Sequence, residues 1–448
     1  MTNAEQLRLI ASLSVPGILA QLSQILMFFI DAAMVGSLGA RQSAAIGLVE
    51  TTTWLFGGLT SAVSMGFSVQ VAHAIGANDI PRARRVLRQA LVCALGFSSV
   101  LMCAAVAVSG PLPAWLGGQQ ELHREASQYF LVFALAIPFF QLQSLSSSML
   151  KCSGNMKTPS MLNVLMCVMD VVFNYFFIFV LGLGVLGAAI GTLLATMLTA
   201  VSMFWFLAVR STMLGLRRDT GHFLQRGLRW YGFRPQADTV RTAFKIGAPM
   251  GLQHLLMGSA QIVSTIIVAP LGMVAIAANS FAITVESICY MPGYGIAEAA
   301  TTLVGQCIGA GQRLLTRAFA YKSVATGMVA MTLMGVLMWV FAPELMSVMT
   351  PVADIRQTGA SVLRIEAWAE PMFAAAIVCN GVFIGAGDTL VPAAMSLTSM
   401  WAVRLTLAAW LAPIYGLPGV WVAMASELTF RGLIFLVRLF SGRWARKM

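Results

Sequence analysis

Nine ionisable side chains stand within strongly apolar stretches of the sequence, where a charge is costly. The acids are Asp31, Asp170, Glu286, Glu298, Glu366, Glu370 and Glu427, and the bases are Arg404 and Arg431. A charged group at membrane depth costs at least about 2.5–3.5 kcal/mol, so each one needs a partner or a function. Because the acids outnumber the bases, a cavity among these stretches should favour cations.

Asp31 and Asp170 differ from the other acids because no Lys, Arg or His lies at a similar depth in the apolar stretches at 10–38, 159–182 or 187–209. An acid without a base can take up a proton or bind a cation. Asn174, one helical turn after Asp170, adds a neutral oxygen on the same face. Oxygen donors of this kind suit a hard ion such as Na⁺. Structural hydrogen bonding to the backbone is the alternative, and it is less favoured for Asp31 than for Asp170.

Three charged residues near the C-terminus are predicted to form a mainly structural network. Arg404 and Glu427 lie at matching depth in adjacent predicted helices, which favours a buried ion pair. Glu427 and Arg431 are also i,i+4 neighbours on one helical face. Glu298, near the C-terminal end of the apolar stretch 275–307, is compatible with a structural or a functional role. The roles of Glu366 and Glu370 are left open.

The composition identifies the environment of these residues as a membrane. Hydrophobic residues make up 58% of the 448 residues and charged residues 10%, against about 25% charged in an ordinary soluble domain. Apolar runs of about 20 residues recur and do not alternate in polarity, which favours spanning helices over a barrel. We therefore predict an all-α integral membrane protein with twelve transmembrane helices. They are placed at 10–38, 44–74, 86–109, 125–149, 159–182, 187–209, 243–270, 275–307, 318–342, 357–381, 392–413 and 418–438.

The net charge of +11 is explained by membrane topology and does not predict nucleic-acid binding. Alternating the connections between the predicted helices places 22 of the 28 Lys and Arg residues on one side. These include Arg446 and Lys447 in the tail. The positive-inside rule then predicts that both termini are cytoplasmic. The seven cysteines and four histidines contain no CxxC or HExxH pattern, so neither a disulfide framework nor a metal site with these ligands is predicted.

Glycine, proline and arginine residues of the first half of the sequence recur in the second half at one constant residue offset, which we call the repeat shift. It takes Pro16 to Pro249, and it also relates Gly39 to Gly272, Gly76 to Gly309, Arg84 to Arg317, Pro138 to Pro371 and Gly154 to Gly387. This predicts an N-terminal lobe (1–209), a cytoplasmic linker (210–241) and a C-terminal lobe (242–448), each lobe with six helices. An even number of helices makes the lobes run in the same direction, with a pseudo-twofold axis along the membrane normal. Two such lobes around a cavity are typical of transporters.

Several segments resemble the multidrug and toxic compound extrusion (MATE) family over nearly the whole chain. They are IDAAMVGSLG (30–39), ITVESICYMPGYGIAEAATTLVGQCIGAG (283–311), GAGDT (385–389) and the ending at 399–444. The resemblance implies an antiporter without a cofactor that exports amphiphilic organic compounds in exchange for H⁺ or Na⁺. It also implies a monomer that spans the bacterial inner membrane and is not an enzyme.

An acid in helix 1 resembles the DinF branch of the family more than the NorM branch. The DinF branch couples transport through a helix 1 Asp, an Asn and an Asp in helix 5, and a helix 6 Thr. The resemblance therefore implies a cation-coupling set of Asp31, Asp170, Asn174 and Thr192, which would hold a metal ion only if the ion is Na⁺. The order in helix 5 is reversed here, with Asp170 before Asn174.

Substrate choice is weakly encoded in the sequence. The 28 methionines and 26 phenylalanines offer adaptable apolar walls, and Glu286 with Tyr290 one turn later are the candidates for contacting cationic drugs. The alternative function is a flippase for lipids or lipid-linked oligosaccharides. That activity needs a cationic cavity for phosphates, and the two interior arginines against seven acids make it second choice.

Overall fold

The computed structural model describes residues 2–117, 120–216 and 233–445, and these residues form helices and no strands. The helices of the first part are α1 (Asn3–Gly36), α2 (Ala40–Gly76), α3 (Ile80–Ser109), α4 (Gln120–Cys152), α5 (Lys157–Tyr175) and α6 (Gly184–Trp205), with a short turn of helix at Leu112–Trp115. The later ones are α7 (Ala237–Val268), α8 (Met273–Gly309), α9 (Arg313–Met349), α10a (Ala353–Glu366), α10b (Glu370–Gly385), α11a (Leu390–Thr398), α11b (Thr406–Tyr415) and α12 (Leu417–Ser441).

The predicted all-α membrane fold is confirmed. Among the described residues, eleven helical stretches are long and apolar enough to cross a membrane, and α10a with α10b makes a twelfth when the bent pair is counted as one span. Three stretches continue as wider π-helical turns, at Phe176–Val180, Phe206–Arg210 and Ser399–Leu405. The last of these joins α11a to α11b.

The repeat seen in the sequence also appears in the backbone. Gly39 before α2 has φ 123°, and Gly272 before α8 has φ 100°. Gly154 before α5 and Gly387 before α11a have φ 87° and 75°. All four lie in a region that L side chains rarely adopt, so glycine is needed at each tight connection. The repeat shift therefore relates residues with the same backbone conformation as well as the same residue type.

The tenth predicted span, 357–381, is not one straight helix. The structure breaks it between Glu366 and Glu370, and α10a and α10b meet at an angle of 60°. Pro371 stands at the start of α10b, where a missing backbone N–H is tolerated. Its repeat counterpart Pro138 lies inside the continuous helix α4, so the proline alone does not determine the break.

The described chain separates into two compact units. One is Ser23–Gly251, and the other combines Met1–Leu22 with Leu252–Met448; we call the second the Leu252–Met448 unit. The boundaries between them fall inside α1 and α7. The division into lobes at 1–209 and 242–448 with a linker at 210–241 stays a prediction. Residues 217–232 of that linker, and Arg446 and Lys447 of the tail, lie outside the described residues.

Candidate functional site

Three of the predicted coupling residues form one hydrogen-bonded group in the Ser23–Gly251 unit. The side-chain amide of Asn174 donates through Nδ2 to Asp31 Oδ1 and to Asp170 Oδ2, both at 3.0 Å. Asp170 and Asn174 lie one turn apart on α5 and are 0% and 1% exposed, whereas Asp31 on α1 is half-buried. The bridging amide holds the two carboxyl groups side by side.

Thr192 on α6 completes this group. The Thr192 hydroxyl and the Asp31 carboxyl both lie within interaction range of the Asp170 carboxyl. Two ionised carboxylates so close repel each other, and a shared proton or a bound cation removes the repulsion. Within the described part of the chain, Asp170 Oδ1 and Asn174 Oδ1 have no hydrogen-bond partner. These buried oxygens are therefore available to a cation.

The donor set fits a proton or a sodium ion better than a transition metal. The described residues contain no group of three His, Cys, Asp or Glu side chains arranged to hold a metal. Two carboxylates, one amide oxygen and one hydroxyl supply only hard oxygen donors, the type that alkali and alkaline-earth ions prefer. The π-helical turn at Phe176–Val180 begins two residues after Asn174, and such turns are frequent at functional sites.

Gly191 on α6 makes room for the bridging amide. A Cβ atom at this position would lie 2.0 Å from Asn174 Oδ1 and 2.9 Å from the Asn174 backbone nitrogen. Neither distance is possible between non-bonded atoms, so a larger residue would force Asn174 to move. The close approach of α5 and α6 therefore depends on this glycine.

Gly191→Ala is expected to lower gradient-driven export about tenfold or more, since overpacking costs about 1–3 kcal/mol and 1.4 kcal/mol corresponds to a factor of ten. The strain is relieved by displacing Asn174 from the two carboxyls. Export is measured at matched membrane levels. Gly96→Ala on α3 serves as the control, because a Cβ there meets open space. Wild-type export by Gly191→Ala would show that the position of Asn174 is unimportant.

A second group of charges is buried in the Leu252–Met448 unit. Glu286, Glu366, Glu370 and Glu427 are between 0% and 5% exposed, and Arg431 is 9% exposed. Glu427 Oε1 accepts from Arg431 Nη2 at 2.6 Å and from the Ser399 hydroxyl at 2.6 Å. The predicted i,i+4 neighbours on α12 therefore form a buried ion pair.

The predicted ion pair between Arg404 and Glu427 is not formed among the described residues. Arg404 Nη2 instead contacts Met424 Sδ, although Glu427, Glu286 and Glu366 lie within electrostatic range. Arg404 sits in the π-helical turn at Ser399–Leu405, where i→i+5 hydrogen bonding rotates the side chains relative to a regular α-helix. Matching depth on adjacent helices was therefore insufficient to identify the partner.

Glu366 and Glu370 flank the break between α10a and α10b. Both are fully buried, and within the described residues none of their four carboxylate oxygens has a hydrogen-bond partner. A buried carboxylate without a donor is expected to be neutral rather than ionised. The sequence left these two residues without a role, and the structure identifies them as the least satisfied polar groups of this unit.

The remaining candidate residues are Glu286, Tyr290 and Glu298. Glu286 is 5% exposed, and the Tyr290 ring packs edge-on against Phe373 at 5.4 Å. Glu298 Oε1 accepts from Gln21 Nε2 at 3.5 Å. Substrate binding by Glu286 and Tyr290 stays a prediction, and the role of Glu298 stays open.

Sequence reasoning missed a cavity of about 240 Å³ in the Ser23–Gly251 unit. Its lining includes Gln24, Met27, Phe140, Gln143, Asn163, Met166 and Cys167. Cys167 is three residues before Asp170 on α5, so the cavity lies close to the carboxyl pair. The lining contains no charged residue, which is why a search for ionisable groups overlooked it. The signal that could have found it is three amide side chains within predicted spans 1, 4 and 5.

Comparison with known proteins gives one consistent family. Residues 16–176 and 249–410 each match the MatE family, and the two matches begin at Pro16 and Pro249, which the repeat shift pairs. A probable multidrug resistance protein NorM from Thermotoga maritima is 24% identical over 442 residues, covering 97% of this chain and 92% of the relative. The multidrug resistance protein MdtK from Yersinia pseudotuberculosis is 25% identical, covering 98% of this chain and 96% of the relative. The solved structure of a MOP superfamily transporter from Pyrococcus furiosus has the same fold, with a TM-score of 0.90 at 20% identity over 98% of this chain and 96% of that one.

Proposed function

The chain belongs to the MatE family of membrane transporters, and we propose that it is a secondary active antiporter that exports amphiphilic, cationic organic compounds in exchange for H⁺ or Na⁺. Export of drugs is supported by the multidrug resistance proteins among its relatives. We further propose that it acts as a monomer in the bacterial inner membrane with both termini in the cytoplasm. The excess of Lys and Arg on one side of the predicted topology supports that orientation.

The coupling mechanism rests on one observation, the amide of Asn174 between the carboxyls of Asp31 and Asp170. An ionised pair attracts a cationic substrate, whereas a protonated or sodium-bound pair does not. Binding of the ion and binding of the substrate therefore weaken each other, and thermodynamic linkage makes this effect equal in both directions. Thr192 contributes a hydroxyl oxygen to the ion. Exchange follows if the two lobes alternate their access to either side of the membrane.

The cavity beside this group is suited to the proposed substrates. Met27, Met166 and Phe140 supply adaptable apolar contacts, and Gln143 and Asn163 supply hydrogen-bonding groups. The nearby carboxyls attract positive charge into the cavity without a fixed geometric requirement. A site of this kind selects an apolar cation by class rather than by shape.

A flippase for pyrophosphate-linked lipids is the second candidate, and the charges disfavour it. Such a lipid requires several cationic donors for its phosphates. No Lys or Arg lines the cavity near Asp170. In the second buried group, four glutamates accompany Arg404 and Arg431, and Arg431 is already paired with Glu427.

The test is transport in proteoliposomes with proton and sodium gradients imposed separately. Movement of ethidium, a lipophilic cation, is expected under at least one gradient and is absent when both gradients are collapsed. Empty liposomes and liposomes with Asp31→Asn protein are the controls. The proposal fails if no organic cation moves under either gradient, and binding of a polyprenyl-pyrophosphate lipid in the same preparation would favour the flippase.

The branch of the family is decided by the same experiment. The helix 1 acid and its partners resemble the DinF branch, and this assignment stays a prediction. Loss of ethidium transport in Asp31→Asn but not in Glu370→Gln is expected if coupling takes place in the Ser23–Gly251 unit. The reverse pattern would transfer the coupling role to the glutamates of α10a and α10b.

A further inference from the structure

A polar cavity of about 220 Å³ lies in the Ser23–Gly251 unit where α2 ends and where α3 and α7 begin. It is lined by Gln70, by Arg82, Arg85 and Gln89 of α3, and by Asp238 and Thr239 of α7. We propose that this cavity binds the phosphoglycerol headgroup of an anionic lipid. The site shares no lining residue with the cavity beside Asp170.

The two arginines are the cationic groups that would bind the anionic phosphate of the headgroup. Arg82 and Arg85 are three residues apart on α3, so they extend from one face of the helix. Both are exposed, and neither forms an ion pair with any residue that the structure describes. Two neighbouring guanidinium groups repel each other until an anion binds between them. Phosphate is the matching anion, because its oxygens accept parallel hydrogen bonds from a guanidinium group.

The neutral lining supplies further donors and acceptors. Gln89 is 2% exposed, and its Oε1 accepts from the Gln236 backbone nitrogen at 3.2 Å. Among the described residues nothing accepts from Gln89 Nε2, which stays available to a ligand. Gln70 donates through Nε2 to the Thr239 carbonyl at 3.1 Å, which leaves its own carbonyl oxygen as an acceptor.

Asp238 narrows the chemical class of the ligand. A carboxylate in the lining repels a bare phosphate ion, but it accepts hydrogen bonds from hydroxyl groups. A phosphate diester that also carries hydroxyls satisfies Arg82, Arg85 and Asp238 together. A phosphoglycerol headgroup has this combination, whereas a phosphocholine headgroup has no hydroxyl and adds a positive charge.

The other repeat makes a direct contact at the equivalent place. The repeat shift pairs Gln89 with Lys322, Gln236 with Asn3 and Thr239 with Gln6. In the Leu252–Met448 unit, Lys322 Nζ donates to Asn3 Oδ1 at 2.7 Å and also to Gln6 Oε1. There, the side chain of the protein's own lysine connects the start of α1 to α9.

The first repeat has no lysine at this position and carries two arginines nearby. Gln89 replaces it and makes one uncharged contact to the start of α7. The positions equivalent to Leu315 and Ala318 are Arg82 and Arg85, so the positive charge moves one to two turns along the helix and faces the cavity. At this position the described part of the first repeat therefore lacks a charged contact of its own between these helices, and its two arginines point to an anionic ligand that binds there.

A lipid is the better source of this headgroup than a free metabolite. Val240 and Phe244 are 37% and 74% exposed along α7, next to cavity-lining Thr239. They offer an apolar surface on which an acyl chain can lie. The predicted topology also places the cavity on the side rich in Lys and Arg, where anionic lipids attract basic groups by about 1 kcal/mol per residue.

The test measures lipid binding to the purified full-length protein by native mass spectrometry and by the shift of its thermal midpoint. Phosphatidylglycerol, phosphatidylcholine and glycerol 3-phosphate are added separately. The variants are R82Q with R85Q, each of these changes alone, and the control R8Q with R241Q. The control removes two exposed arginines from outside the cavity. The double variant and the control remove the same number of positive charges, so comparing them separates the position of the charge from the net charge.

Phosphatidylglycerol is expected to bind the wild-type and control proteins and to raise their midpoints, with binding to R82Q/R85Q weaker by about tenfold or more. Should the double variant fail to fold, the single variants report the same loss to a smaller degree. Equal binding of phosphatidylcholine, or equal binding of phosphatidylglycerol by the cavity variants and the control, would overturn the proposal. A midpoint shift with glycerol 3-phosphate but none with phosphatidylglycerol would overturn the lipid as the source. None of these readouts depends on transport.

Discussion

Replacing Asp31 with asparagine is expected to abolish gradient-driven export while leaving the amount of folded protein in the membrane near the wild-type level. Asparagine keeps the shape of the side chain, and its Oδ1 can still accept from Asn174 Nδ2. The change removes the charge that attracts the substrate and the group that takes up the ion. Export without coupling then falls to the rate seen when no gradient is present.

The measurement is ethidium efflux at membrane levels confirmed by immunoblot and by thermal midpoint. Asp170→Asn is expected to reduce ion coupling less, because Asn174 and Thr192 remain as oxygen donors. Asp354→Asn serves as the control, since this exposed acid stands in the first turn of α10a, far along the chain from the site. Gradient-dependent efflux by Asp31→Asn at the wild-type rate would exclude Asp31 as the coupling residue.

Much of the fold was predictable because a membrane restricts the secondary structure that a spanning segment can adopt. Backbone polar groups must be satisfied within each span, so an apolar run of about 20 residues already implies a helix. Gly39 and Gly272 were recognisable as repeat-related turns, and the structure gives both a positive φ. The break between Glu366 and Glu370 was not predictable from Pro371, because Pro138 at the equivalent place leaves α4 continuous.

The candidate site was predictable in part for an energetic reason. An unpaired acid in an apolar stretch is rare enough to be informative, and this reasoning selected Asp31 and Asp170, which Asn174 bridges. The bridging orientation of Asn174 and the space beside Gly191 depend on how α5 packs on α6, which spacing along the sequence does not encode. The neutral cavity next to the site carries no such energetic signal.

The partner of Glu427 shows that equal depth in the membrane is not sufficient to predict an ion pair between two helices. Adjacent helices at equal depth suggested Arg404, yet the π-helical turn at Ser399–Leu405 changes the register of α11. Arg431 is on the same helix as Glu427 and needs no such alignment. An ion pair between i,i+4 neighbours of one helix can therefore be predicted even where a π-helical turn makes pairs between two helices unpredictable.

Glu427→Gln is expected to cost about 3–5 kcal/mol of stability, because it leaves the guanidinium of Arg431 buried without its carboxylate. Glu427 is 0% exposed and accepts from Arg431 at 2.6 Å. Bulk water therefore does not reach this place to solvate the guanidinium once the carboxylate is gone. The expected result is a markedly lower thermal midpoint and a lower yield of purified protein. Glu50→Gln is the control, since this glutamate of α2 is exposed.

Two double variants identify which arginine Glu427 stabilises. Glu427→Gln with Arg431→Gln removes both members of the observed pair, and part of the lost stability is expected to return. Glu427→Gln with Arg404→Gln still leaves Arg431 without a partner, so the midpoint is expected to stay low. If recovery follows from Arg404→Gln instead, the buried pair joins α11 to α12 as the sequence suggested. If Glu427→Gln alone leaves the midpoint unchanged, neither arginine depends on this carboxylate, and both become candidates for contacting substrate.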